Sequence, residues 1–107
     1  MNRGDVVTIA LPGAYGKPRP AVVVQSELFQ ELPSLTILPI TSEIRASPLL
    51  RITVQPSADN GLRKPSQVMI DKIQTVPQAK VGAAIGYLAR DVMKIIDRSL
   101  IVFLGIA

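Results

Sequence analysis

The chain has 107 residues, 48% of them hydrophobic and 19% charged, which suits one packed domain and excludes an intrinsically disordered chain. Twelve Lys and Arg against eight Asp and Glu leave a formal charge of +4, which favours a polyanionic partner or substrate. With no Cys and no His, disulfides, thiol nucleophiles, imidazole bases and ordinary zinc sites are excluded, so any catalysis falls to carboxylates, Arg, Lys, Tyr or positioned hydroxyls. Met1 to Asp5 is polar and has no signal-peptide character, and no stretch approaches the roughly 18 apolar residues of a membrane span. These features set the expectation of a cytoplasmic protein without a membrane partner.

Nine prolines punctuate the chain at short intervals, which breaks helices and delimits short strands. Between them lie runs rich in β-branched residues. Asp5 to Leu11 reads as a first strand, Ala21 to Gln25 as a second, and Leu35 to Ile40 as a third, with Pro39 implying an edge or a strand end. Leu50 to Gln55 alternates Leu50, Ile52 and Val54 with Arg51, Thr53 and Gln55, the pattern of a half-buried strand. Asp59-Asn60-Gly61 signals a turn, and Gln67 to Ile73 and Lys80 to Tyr87 are further strand candidates.

From Arg90 the period changes. Val92, Ile95, Ile96, Ser99, Leu100 and Phe103 fall on one face of an amphipathic helix, with Asp91, Lys94, Asp97 and Arg98 on the other and Gly105 as the stop. The tail from Leu100 to Ala107 is apolar nearly all round, so it needs cover from its own barrel or from a second subunit. The sum is a mainly β fold, a small antiparallel barrel with a C-terminal α-helix and no second domain, and dimerisation is expected.

Two loops can carry chemistry. The segment from Pro12 to Pro20 holds two glycines, three prolines and the side chains of Tyr15, Lys17 and Arg19. Arg19 stands between Pro18 and Pro20 at a strand mouth, a rigid mount for a guanidinium that contacts phosphate or stabilises charge on a transferring phosphoryl group. The alternative is an arginine satisfying carbonyls or pairing with Asp5 or Asp71. The second loop, Thr41-Ser42-Glu43, places two hydroxyls at a strand end, where they bind a phosphate or ribose hydroxyl, or else cap the following turn.

In their order and spacing these pieces resemble the MazF/PemK family of toxin ribonucleases. The carriers are Arg3-Gly4-Asp5-Val6-Val7, the loop running into Arg19-Pro20-Ala21-Val22-Val23-Val24, and Pro39-Ile40-Thr41-Ser42. Gly61-Leu62-Arg63-Lys64-Pro65-Ser66-Gln67-Val68, Asp71-Lys72-Ile73-Gln74-Thr75, Lys80-Val81-Gly82 and the terminal Leu104-Gly105-Ile106 extend the likeness over nearly the whole chain. The resemblance implies an SH3-like or CcdB-like barrel, a homodimer, an antitoxin partner with an acidic, partly disordered tail, and metal-independent cleavage of single-stranded RNA without a cofactor. Its catalytic arginine and threonine fall on Arg19 and Thr41, and RNA contacts are expected from Tyr15, Lys17, Ser42, Lys64, Ser66 and Gln67. RNA carries its own nucleophile, the 2′-OH, so a site without His or Cys suits this reaction.

The chain also departs from the pattern. Many members have a longer first loop with Glu or His before the R-P pair; here Tyr15, Lys17 and Pro18 stand there, and the general base is unassigned. The branch represented by Kid uses an Arg-x-Asp pair on the fifth strand, whereas this chain keeps Asp71 and has Met69 in the arginine position. Asp71 is thus an acid/base, an RNA contact or a salt-bridge partner. A second reading is a non-enzymatic DNA gyrase inhibitor similar to CcdB, drawn from the tail Phe103-Leu104-Gly105-Ile106, which lacks the tryptophan of that protein. A third is an inactive barrel that only binds RNA or an antitoxin.

Overall fold

Strands rather than helices form wherever β-branched runs are cut short by proline. The computed structural model describes residues 1–10 and 17–107. Within them lie β1 (Asp5–Ile9), β2 (Arg19–Val23), β3 (Ser34–Thr41), β4 (Arg51–Val54), β5 (Ser66–Met69), β6 (Gln74–Pro77), β7 (Val81–Tyr87) and the helix α1 (Arg90–Phe103). The strands make one antiparallel sheet in the order β4-β5-β3-β2-β1-β7, with β6 also on β3. No helix among the described residues is long and apolar enough to cross a membrane.

β3 organises the sheet. Its first half pairs with β6, from Ser34↔Pro77 to Ile37↔Gln74, and its end pairs with β5 through Ile40↔Val68 and Thr41↔Gln67. Pro39 falls between these two ladders, where a missing N–H breaks no pairing on that side. The proline therefore marks a change of neighbour within a central strand, not the edge or strand end expected from sequence.

Both faces of the sheet are covered, so the strands read as apolar on successive residues. Val6, Val22, Leu38, Ile40 and Val68 face α1, which adds Met93, Ile96 and Leu100. Val7, Ile9, Ala21, Val23, Leu35 and Ile37 form a second cluster on the opposite face. Burying one such Val, Leu or Ile side chain is worth about 1.5–3 kcal/mol. Arg3 fastens the helix to the sheet end: its guanidinium pairs with Asp97 on α1, and its Nε donates to the Val24 carbonyl at 2.9 Å.

A loop, not a ladder, bridges the two edges of the open sheet. No ladder joins β4 to β7 among the described residues; instead the β4–β5 connection folds across onto β7, where the Tyr87 N–H donates to the Asp59 carbonyl at 2.8 Å. The Asp59-Asn60-Gly61 turn is built around Asn60, only 4% exposed, whose Oδ1 accepts from the Ser57 and Leu62 N–H groups and whose Nδ2 donates to the Gln55 carbonyl. β7 meets this turn at Gly86, where a Cβ would stand 2.3 Å from the Asp59 oxygen.

Several boundaries differ from the sequence reading. β2 begins at Arg19 rather than Ala21, and Leu11 lies outside the described residues. The strand expected from Gln67 to Ile73 stops at Met69, since Ile70–Lys72 forms a 3₁₀ turn that drops Ile70 into the core beneath α1. β6 was not anticipated. The helix starts at Arg90 and ends as expected: Gly105 has φ +71°, and the Ile106 and Gly105 N–H groups donate to the Ile101 and Val102 carbonyls.

Its buried face, however, runs along Met93, Ile96, Ser99 and Leu100, leaving Ile95 and Phe103 exposed at 49% and 42%. Val102, Leu104 and Ile106 are exposed beside Phe103, so the barrel leaves the apolar tail uncovered.

Gly86→Ala is expected to destabilise the fold by about 1–3 kcal/mol, the usual range for forcing a methyl into a packed site. Urea denaturation reads this directly, and an unchanged midpoint would show that closure onto β7 does not hold the sheet.

Candidate active-site groove

The ends of β2, β3 and β5 converge on an open groove of ≈ 880 Å³. The last β2–β3 pair is Ala21↔Pro39, and the same register continued by two residues sets Arg19 opposite Thr41. Both line the groove. Arg19 is the first residue of its strand, opposite Ile9 of β1, so its Cα is fixed by the sheet while its side chain is exposed. Among the described residues its guanidinium forms no ion pair or hydrogen bond. The carboxylates offered as structural partners are engaged elsewhere, Asp5 by the Asn2 N–H at 2.9 Å and Asp71 by Arg51 at 3.4 Å.

Thr41 Oγ1 accepts the Glu43 N–H at 3.1 Å, the capping role foreseen as the alternative. This bond fixes the side chain and leaves the hydroxyl proton available for donation into the groove. Ser42 and Lys64 also line it, and Arg63, not singled out from sequence, adds a third positive charge beside Arg19 and Lys64. Its signal was the dibasic pair Arg63-Lys64 after Gly61. Glu43, the acidic lining residue, sets its carboxylate 3.3 Å from Arg45, so the balance of charge in the groove is basic.

The remaining expected RNA contacts are placed differently. Ser66 lines the groove but is 5% exposed, and its hydroxyl donates to the Lys64 carbonyl at 2.9 Å, shaping the loop that presents Lys64. Gln67 is a correction: it is 3% exposed and not in the groove, because its Nε2 donates to the Arg45 carbonyl and Thr53 Oγ1 while its Oε1 accepts the Arg45 N–H. Those bonds pin the β3–β4 connection. Lys17 is exposed and does not line the groove, and Tyr15 lies outside the described residues. Asp71 is also outside the groove lining; the structure gives it the salt-bridge role among the three left open, opposite Arg51 with side chains 25% and 11% exposed.

A guanidinium mounted on fixed backbone, with a hydroxyl and further cations lining the same groove, suits a polyanion chain. The guanidinium can neutralise charge growing on a phosphoryl group, and the hydroxyl can hold a phosphate oxygen.

Comparison with known proteins agrees with this geometry. Residues 2–104 match the family described as PemK-like, MazF-like toxin of type II toxin-antitoxin system. A protein of Mycolicibacterium smegmatis named "Probable endoribonuclease MazF" is 45% identical over 108 residues, covering 100% of this chain and 99% of its own length. The Mycobacterium tuberculosis protein named endoribonuclease MazF3 is 38% identical over 67% of this chain and 68% of its own. Among solved structures, the Mycobacterium tuberculosis toxin MazF-mt6 superposes with a TM-score of 0.81 at 27% identity, covering 94% of this chain and 96% of that one. A mycobacterial endoribonuclease solved with its cognate antitoxin gives a TM-score of 0.83 at 22% identity over 100% and 97% of the two chains, a likeness of fold.

Proposed function

The chain belongs to the PemK-like, MazF-like family of type II toxins, and we propose that it is the toxin of a toxin–antitoxin pair, an endoribonuclease cutting single-stranded messenger RNA at selected sequences. The observation that carries this reading is that Arg19 and Thr41 line one groove, with no partner among the described residues to occupy the guanidinium. The 2′-OH oxygen attacks phosphorus, the P–O5′ bond breaks, and the products are a 2′,3′-cyclic phosphate and a 5′-hydroxyl. The 2′-OH loses one proton and O5′ gains one, so the step consumes no water. Arg19 stabilises the crowded phosphorane, where charge is greatest, and Thr41 holds the scissile phosphate or the attacking hydroxyl. Ser42, Arg63 and Lys64 hold the strand along the groove. The attacking group belongs to the RNA, so the mechanism calls for neither metal nor cofactor.

The partners follow from the same surfaces. The protein acts in the cytoplasm, where its antitoxin presents an acidic, partly disordered tail that orders over the basic groove and excludes RNA. The uncovered apolar tail of α1, from Val102 to Ile106, is the homodimer contact, since soluble monomers seldom leave such a patch bare.

Purified protein is expected to cut RNA equally well with and without EDTA and to leave cyclic phosphate ends; activity that vanishes with EDTA would overturn the metal-free mechanism. Arg19→Ala should raise the barrier by about 3 kcal/mol, roughly a hundredfold in rate, the loss typical of one transition-state donor. Arg19→Lys should recover little, because a point charge cannot reproduce the fork. Thr41→Ala should slow cleavage more than Thr41→Ser. A folded Arg19→Ala variant cutting at the wild-type rate would remove Arg19 from the mechanism. For the dimer, sedimentation at micromolar concentration should give twice the chain mass, and Phe103→Glu should shift it to the monomer; a monomeric wild type refutes the contact.

A further inference from the structure

The connection between β3 and β4 serves two cavities. Thr41, Ser42 and Glu43 line the groove, whereas Arg45 to Pro48 line a second cavity of ≈ 310 Å³. β5 is shared in the same way, with Ser66 and Met69 toward the groove and Gln67 toward the cavity. The Glu43–Arg45 ion pair, at 3.3 Å, links the two mouths. A nucleic-acid strand lying along Thr41 to Glu43 thus continues to Arg45 and the second cavity.

The polar groups facing this cavity are chiefly donors. The Gln67 amide is fully engaged with Arg45 and Thr53, as described above. Arg51 lines the cavity with its side chain 11% exposed, and among the described residues it makes no hydrogen bond; its one ion-pair partner there is Asp71, at 3.4 Å. The facing Asp71 Oδ1 is itself buried without a hydrogen bond. A guanidinium has five N–H donors, and burying it with none of them matched is costly unless acceptors come from outside the chain. Pro48, Ile52 and Ile95 supply apolar walls. A phosphate, charged on every side, suits such walls poorly. A flat base with two adjacent acceptors on one edge suits both the walls and the fork, and guanine presents that edge through O6 and N7.

We infer that this cavity is a base-recognition subsite, in which Arg51 reads the O6/N7 edge of a guanine flanking the cleaved bond. Asp71 is the positioning residue behind Arg51. The inference rests on the ribonuclease reading for its substrate, and its test is by binding rather than cleavage.

Arg19→Ala, which leaves the second cavity intact, serves as the host protein. Short single-stranded RNAs carrying one guanine, moved stepwise through an otherwise adenine and uracil sequence, are titrated by fluorescence anisotropy. One position is expected to favour guanine over adenine by about tenfold or more, the discrimination of a bidentate arginine contact. 7-Deazaguanine at that position should abolish the preference. Adding Arg51→Lys should abolish it too, with guanine-free RNA still bound and the protein still folded. Asp71→Asn, close in shape to the native residue, should weaken the preference without removing binding, which a merely structural role would not do. No preferred position, no RNA binding, or a preference that survives Arg51→Lys would each overturn the inference. Wild-type protein that binds guanine at one position but cuts no RNA would overturn the ribonuclease reading and leave the subsite standing.

Discussion

The divided pairing of β3 is the constraint on which the rest of the molecule depends. One eight-residue strand pairs with β2 along one side and with β6 and then β5 along the other. Two ladders succeed one another on one side of the strand, and Pro39, lacking an N–H, sits between them. The consequence for function is geometric. β5 is brought to the end of β3 and not to its middle, so the ends of three strands gather around one groove.

A scaffold of this kind places two polar groups on rigid backbone in a chain with no imidazole and no thiol. Arg19 is held by pairing with β1, and Thr41 by pairing with β5 and by the bond it accepts from Glu43. Phosphoryl transfer within RNA asks chiefly for alignment and charge stabilisation, and preorganised donors supply both without reorganising during the reaction. Gln67 contributes at one remove: its three bonds to Arg45 and Thr53 hold the connection that begins with Thr41. A buried amide at that point is more useful as a brace than as an RNA contact.

Much of this was legible in the sequence because local signals agreed with the global fold. The strand runs between prolines, the period change at Arg90 and the Gly105 stop all survive into the structure, since each reports a steric or hydrogen-bonding rule acting within a few residues. What was not legible depended on distant partners. β6 is a short, mixed run whose strand character comes from β3, about forty positions earlier. Gln67 looked available because its partners, Arg45 and Thr53, are remote in sequence. The helix face was misjudged at Ile95 and Phe103 for the same reason: periodicity gives a stripe, and only the sheet beneath decides which part of it is buried. For the site, the R-P pair and the P-x-T strand end singled out Arg19 and Thr41, which line one groove, whereas Arg63 joins that groove through a loop path no spacing rule describes.

The Met69 departure illustrates how tertiary pairing can restore what a linear motif lacks. Read along β5, the arginine expected two residues before Asp71 is missing. Read across the sheet, Met69 lies directly opposite Arg51 on β4, and Arg51 reaches Asp71. The guanidinium therefore approaches the carboxylate from the neighbouring strand instead of its own. That change of direction matters chemically, because an arginine on β4 lines the second cavity, while Met69 on β5 lines the groove. The chain keeps an Arg–Asp pair but moves its cation away from the scissile phosphate. In the proposed reaction charge stabilisation at that phosphate then falls to Arg19, while Arg51 faces the second cavity.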